Sequence, residues 1–132
     1  MRLPDVPFGS EAGIASGGRV PAPPGLRETY PPVPVWSGGH PAAGDIRGLG
    51  LMVAVELVAD RPTRAPFPRS ARVTERAVAA ARERGLLLYS SAGCVDGTDG
   101  DLVMLGPPLV VSDAEVDEMV ELTGQAVEAA TS

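Results

Sequence analysis

Proline and glycine are spread so unevenly along this 132-residue chain that only its later part can sustain regular structure. Of the first 44 residues, 17 are proline or glycine, including Gly17-Gly18, Pro23-Pro24-Gly25, Pro31-Pro32 and Gly38-Gly39. Proline lacks the amide hydrogen that a helix or a strand ladder needs, and glycine forfeits the most backbone entropy on ordering. Neither a helical nor a strand period runs through the segment, and its apolar density is too low to offset ordering. Residues 1–43 are therefore expected to be an irregular, disordered arm. Tyr30, Val33, Val35 and Trp36 are its docking points. The proline runs also fit a polyproline-II ligand, but an irregular tail is the plainer reading of this composition.

From Gly44 the pattern changes. Leu49, Leu51, Val53, Val55 and Leu57 alternate with Gly50, Met52, Ala54, Glu56 and Val58. Period two with two mostly apolar faces predicts a central strand. Pro62, Pro66 and Pro68 make residues 60–69 a loop. A helical pattern begins at Ser70, with Val73, Ala77, Ala80 and Ala81 on one face and Gly85 as its stop. Leu86-Leu87-Leu88-Tyr89 reads as a short buried strand, and residues 90–100 as turn chemistry. Leu102-Val103-Met104-Leu105 is another strand, halted by Gly106-Pro107-Pro108. Ser112 with Glu115 three residues on is a capping box. The helix after it carries a stripe of Val116, Met119, Val120, Thr123, Val127 and Ala130.

Strand, helix, strand, strand, helix predicts one small α+β domain over residues 44–132. Its sheet is expected to be antiparallel or mixed, with three or four strands and both helices on one face. The first strand is apolar on both sides, so the other sheet face needs a further partner.

Composition removes several chemistries. All eleven basic residues are arginine, so there is no lysine for a Walker-A phosphate loop or for a Schiff base to a carbonyl. One histidine (His40) and one cysteine (Cys94) exclude a zinc site within one subunit and an internal disulfide. A formal charge of −6 argues against nucleic-acid binding. With neither a signal peptide nor an 18-residue apolar run, no membrane association is expected and the cytoplasm is the default location.

The remaining candidates have plain readings. Asp96-Gly97-Thr98-Asp99-Gly100 lacks the ligand spacing of a calcium loop and predicts a hairpin turn. Cys94 has no histidine nearby in sequence to activate it. Seven arginines lie between Arg61 and Arg84, interleaved with Asp60, Glu75 and Glu83, which predicts an ion-paired or solvated face rather than a polyanion site. Glu56 is either a paired, buried carboxylate or one that faces solvent near the strand end. No complete active site is present, and no catalytic or metal-binding residue is assigned.

Three segments carry a family likeness. Gly44-Asp45-Ile46-Arg47-Gly48-Leu49-Gly50-Leu51-Met52-Val53-Ala54-Val55-Glu56-Leu57 resembles the opening of the C-terminal small domain of class III aminotransferases, the ornithine and ω-amino-acid type. Arg82-Glu83-Arg84-Gly85-Leu86-Leu87-Leu88 resembles that family's passage from helix through glycine to strand. Leu102 to Glu115, with Gly106-Pro107-Pro108-Leu109, resembles its strand, Pro-Pro-Leu turn and final helix. His40-Pro41 also fits. The resemblance implies the small domain of a fold-type I transaminase, an enzyme that moves an amino group from a donor to an oxo acid or aldehyde using pyridoxal phosphate.

The same likeness implies that the chain is inactive alone. The large domain carries the family's lysine and its cofactor-binding residues, so a large-domain polypeptide or a homo-oligomer is the implied partner. Residues 1–39 do not resemble the family, and a truncated, split or mis-started gene product is one expectation. A non-catalytic interaction module or a remnant reusing this fold is the alternative. Two residues are implied to be substrate-proximal, Met104 and Arg47. Met104 occupies the position where ornithine-type enzymes carry a carboxylate-binding arginine, which points to an ω-amino or amine donor; core packing is its other reading. Arg47 matches the arginine of the R-G-x-G motif, with a structural ion pair or a backbone-capping role favoured over substrate contact.

Overall fold

The structure is a computed structural model that describes residues 40–132. Most of the expected arm, including Tyr30, Val33, Val35 and Trp36, lies outside the described residues.

Two strands open the fold, β1 (Ala43–Leu49) and β2 (Met52–Leu57). They form an antiparallel hairpin with Leu49 opposite Met52. The single strand expected from Leu49 onward is thus the second arm of a hairpin, and Gly50-Leu51 is its turn. Gly50 has φ +58°, the sign a two-residue hairpin loop of the II′ class needs at its first position. Gly48 stands where a Cβ would overlap the Met52 carbonyl oxygen. These two close constraints give the R-G-x-G spacing a structural meaning.

A proline-rich loop and a 3-10 turn (Arg69–Ala71) lead to α1 (Val73–Glu83). Gly85 follows at φ +84°, the left-handed position that ends helices. β3 is Tyr89–Ala92 rather than Leu86–Tyr89. Leu86 is buried as expected, but Leu87 is 78% exposed, because these residues are the connection and the ladder forms three residues later. β4 (Asp101–Leu105) then pairs antiparallel with both β2 and β3. The sheet order is β1-β2-β4-β3. Since β4 opposes both neighbours, β2 and β3 run parallel, joined by α1 with β4 inserted between them.

α2 (Asp113–Thr131) starts at the expected capping box. The Ser112 amide donates to the Glu115 carboxylate at 2.8 Å, and the Glu115 amide returns a bond to Ser112 Oγ at 3.4 Å. That reciprocal pair satisfies two otherwise orphaned donors. Of the expected stripe, Val116, Thr123, Val127 and Ala130 are buried, and Ala126 joins them.

The core lies between one sheet face and the two helices. Ala42, Ala43, Val55, Leu57, Val73, Ala77, Val103, Val127 and Ala130 form its main cluster. Ala81, Leu86, Leu105 and Ala126 form a second cluster toward the other end. Alanines at 77, 81, 126 and 130 let α1 and α2 approach closely over the sheet. The result is the expected α+β layer with four antiparallel-paired strands. Among the described residues no helix is long and apolar enough to cross a membrane.

Candidate functional site

Directly opposed residues of an antiparallel pair point to the same side of the sheet. The register therefore sorts the side chains. Ile46, Val53, Val55, Leu57, Val103 and Leu105 share the helix side. Asp45, Arg47 and Leu49, Met52, Ala54 and Glu56, Leu102 and Met104, and Tyr89 and Ser91 share the outer side. Arg47, Ala54, Met104 and Tyr89 make one row across all four strands. The two residues singled out by resemblance thus lie on one face, two strand spacings or about 10 Å apart.

This outer face is largely apolar and only partly covered. Leu49, Met52 and Tyr89 are 56%, 60% and 68% exposed, and Ala54, Leu102 and Met104 are half-buried. Met104 is therefore not a core residue. Ala54, the smallest side chain in its row, is ringed by Arg47, Met104, Met52 and Glu56.

The charges on this face satisfy one another. Arg47 Nη1 donates to Asp45 at 2.6 Å and to Glu56 at 3.3 Å. Its hydrogen bond to Asp45 above all, helped by that to Glu56, holds the guanidinium above its ordinary range against an opposing cost of burial. Glu56 combines parts of its two expected readings: it is paired with Arg47, but on the outer face and not buried. The expected ion-pair role of Arg47 is what the geometry contains.

The remaining candidates fall elsewhere. Asp96 Oδ1 accepts from the amides of Thr98 and Asp99 at 2.9 and 2.8 Å, closing the turn expected there. Cys94 is exposed in the same loop. Arg69 and Arg72 both pair with Glu75, and Arg84 donates to the Ala80 carbonyl at 2.7 Å. That agrees with the ion-paired face expected of the arginine-rich stretch. His40 Nδ1 accepts from the Ala42 amide at 3.2 Å, so Nε2 carries the proton donated to Glu128 at 2.9 Å. His40 thereby ties the entry of β1 to the last turns of α2. No group of three or more His, Cys, Asp or Glu able to hold a metal occurs among the described residues.

Two features escaped the sequence reading. Tyr89, placed there in a buried strand, faces outward beside Met104. Asp101, 3% exposed, accepts from the amide and the hydroxyl of Thr74 at the start of α1, and Asp99 accepts from the Arg69 amide at 2.9 Å. The one local signal for Asp101 was a carboxylate opening an otherwise apolar strand, a position that needs a partner once buried.

No family model matches the chain. It is 37% identical over 86 residues to an uncharacterized aminotransferase, YodT of Bacillus subtilis, covering 65% of this chain and 19% of that protein. It is 36% identical over 91 residues to the adenosylmethionine-8-amino-7-oxononanoate aminotransferase of Nitratidesulfovibrio vulgaris, covering 69% of this chain and 15% of that protein. A transaminase obtained by ancestral reconstruction superposes with a TM-score of 0.62 and 40% identity, over 80% of this chain and 20% of that one. The chain therefore spans about a fifth or less of the relatives it matches.

Proposed function

We propose that this chain, whose described domain belongs to the class III aminotransferase family, supplies the small domain of a pyridoxal-phosphate transaminase and turns nothing over by itself. The reaction is transfer of an amino group from a donor to an oxo acid or aldehyde. The observation that carries the reading is the outer sheet face. It brings Arg47, Ala54, Met104 and Tyr89 together, is left uncovered by the domain's own helices, and belongs to a domain that matches only a small part of each relative.

The residues present do not fit the cofactor. The sequence has no lysine to hold it covalently. Arg47, the cation of the outer face, is already engaged by two carboxylates and offers no cradle for a phosphate. In this reading a large-domain polypeptide brings both the lysine and the phosphate-binding groups.

The chain's own contribution is surface. Met104 and Ala54 offer an apolar wall beside the reacting groups, and Tyr89 adds an aromatic edge with a hydroxyl. An apolar Met104 leaves a substrate carboxylate without a partner there, which favours an ω-amino or amine donor.

A chimera tests this. Residues 40–132 replace the matching segment of the reconstructed transaminase, the relative with 40% identity. Pyridoxal-phosphate-dependent amino transfer from an amine donor is expected to persist. A chimera that folds and binds cofactor yet transfers no amino group would refute the proposal.

A further inference from the structure

We propose that the edge of β1 away from β2 receives an extended segment of another polypeptide, one with arginine or lysine at alternate positions. The inference does not rest on the transaminase reading. The added segment lies beside the outer sheet face and leaves it open. β1 supplies the backbone half of the site. Among the described residues it pairs only with β2. Alternate residues of such a strand turn amide and carbonyl away from the ladder, where a further strand bonds them. β1 has seven residues and no proline, so none of its amides is missing. Its register is regular from Asp45 to Leu49, a length of about 14 Å. β3, at the opposite edge, has four residues.

α2 supplies the charge. α1 lies against β3 and β4. α2 therefore covers β1 and β2, where Val116 and Val120 pack with Ile46 and Val53. Met119, Leu122 and Ala126 face α1, in a cluster with Ala80 and Ala81. At about 100° per residue, the flank of α2 turned from α1 toward the edge of β1 then carries Asp117, Glu121 and Glu128. The hydrogen bond between Glu128 and His40, just before β1, fixes that orientation. The helix holds six acidic residues and no basic one. Among the described residues neither Asp117 nor Glu121 pairs with a cation. Asp117 to Glu128 spans about 16 Å, close to the length of the regular part of β1.

Together the two halves define the occupant. On a strand added to β1, side chains on the helix side recur every ~6.8 Å. Asp117 and Glu121, one turn apart, recur at about 6 Å along α2. Arginines or lysines at alternate positions therefore meet the acidic flank, and acidic side chains there are repelled. Main-chain bonds supply the affinity, and the alternate side chains supply the choice of partner. A second copy of this chain does not fit. Two-fold pairing of β1 with itself sets one acidic flank beside the other.

A short labelled peptide that alternates arginine with valine tests this on the full chain. Fluorescence anisotropy is expected to show saturable binding. An analogue of equal charge, with proline in place of each valine, should bind at least about tenfold more weakly, because it cannot donate to the ladder. The D117N/E121Q double variant alters two exposed positions. It should weaken the parent peptide about tenfold while the circular dichroism stays native. Hydrogen exchange read by NMR should slow at alternate amides of β1 when the peptide is added, and stay as it was in α1. Four results would overturn the proposal. One is equal binding of the proline analogue, which would reduce the contact to charge alone. Another is an affinity that the double variant leaves intact. The third is slow exchange at every amide of β1 before any peptide is present. The fourth is a dimer held through β1, detected by light scattering, which would give the edge to a second copy.

Discussion

Asp101 shows how much one side chain can settle. Its carboxylate is buried at the start of β4, yet it is satisfied twice by Thr74, whose amide lies 3.0 Å away. That amide is one of the orphan donors in the first turn of α1. Arg72, the residue before the helix, has a left-handed backbone and gives no side-chain cap. Asp101 supplies that cap from 27 residues away and pins helix to sheet. Asp101→Ala is expected to cost about 1–3 kcal/mol, because it strands a buried donor. Asp101→Asn keeps an acceptor and should cost less. Urea unfolding followed by circular dichroism checks both; equal losses would refute the capping role.

Glu75 sets the acid limb. The Arg69 guanidinium bonded to it, with Arg72 close by, draws its carboxyl from the ordinary 4.5 down to about 2. A carboxylate whose folded value is depressed stabilises the fold above its unfolded value. The contribution is complete above about pH 4.5 and is lost as pH falls through about 2. The pair is partly exposed, with 39% and 36% of the two side chains accessible, so solvent screening keeps its contribution near neutrality small. Glu75→Gln should lower the urea midpoint slightly at pH 7 and flatten its fall between pH 4.5 and pH 2. An unchanged acid limb would show that the pair does not contribute.

At the scale of elements, the two helices and the strand at Leu102–Leu105 are legible in the sequence, whereas β1 is missed and β3 is displaced. Helix ends are written by residues within four positions of one another. Ser112 with Glu115, and Gly85 after Arg84, mark such ends, and the structure bears both out. Strands carry no comparable punctuation. The turn at Gly50-Leu51 lies inside a run whose alternation continues through it, so periodicity predicts one strand where a hairpin stands. Because Leu86-Leu87-Leu88 is as apolar as a buried strand, the sequence predicts a strand that ends at Tyr89, where β3 begins. The hairpin makes Gly48 a sensitive position. A Cβ there meets the Met52 carbonyl and Val53 across the ladder, whereas at Gly106 it meets nothing within 4 Å. Gly48→Ala is expected to cost about 1–3 kcal/mol through this overpacking. Gly106→Ala, at an unstrained surface position, should stay within about 0.5 kcal/mol. Thermal melting of the two variants side by side checks the contrast.

At the scale of the whole molecule, one layer of helices covers one face of a four-stranded sheet. The domain is related to aminotransferases but matches only about a fifth of their length or less. With no lysine, the chain has no internal amine for a cofactor aldehyde to join. Incubated with pyridoxal phosphate and reduced with borohydride, it is expected to carry no pyridoxyl mass on any residue after Met1. Peptide mass spectrometry reads that outcome, and an adduct on an internal residue would contradict it.

The sequence alone determined the composition-bound facts and the local ones: the absence of lysine, the two amphipathic helices with their ends, the α+β order and the family likeness of three motifs. These depend on residue identity or on neighbours a few positions apart. Tertiary structure decided the rest. It chose which side of β2 meets the helices, gave Asp101 to Thr74, joined Arg47 to Glu56, and set Arg47, Ala54, Met104 and Tyr89 in one row. Each of those outcomes depends on strand register and on pairings between distant segments. A shift of one residue in register would send every side chain to the other face. Local periodicity cannot fix that register; the packing of α1 and α2 over Val55, Leu57 and Val103 does.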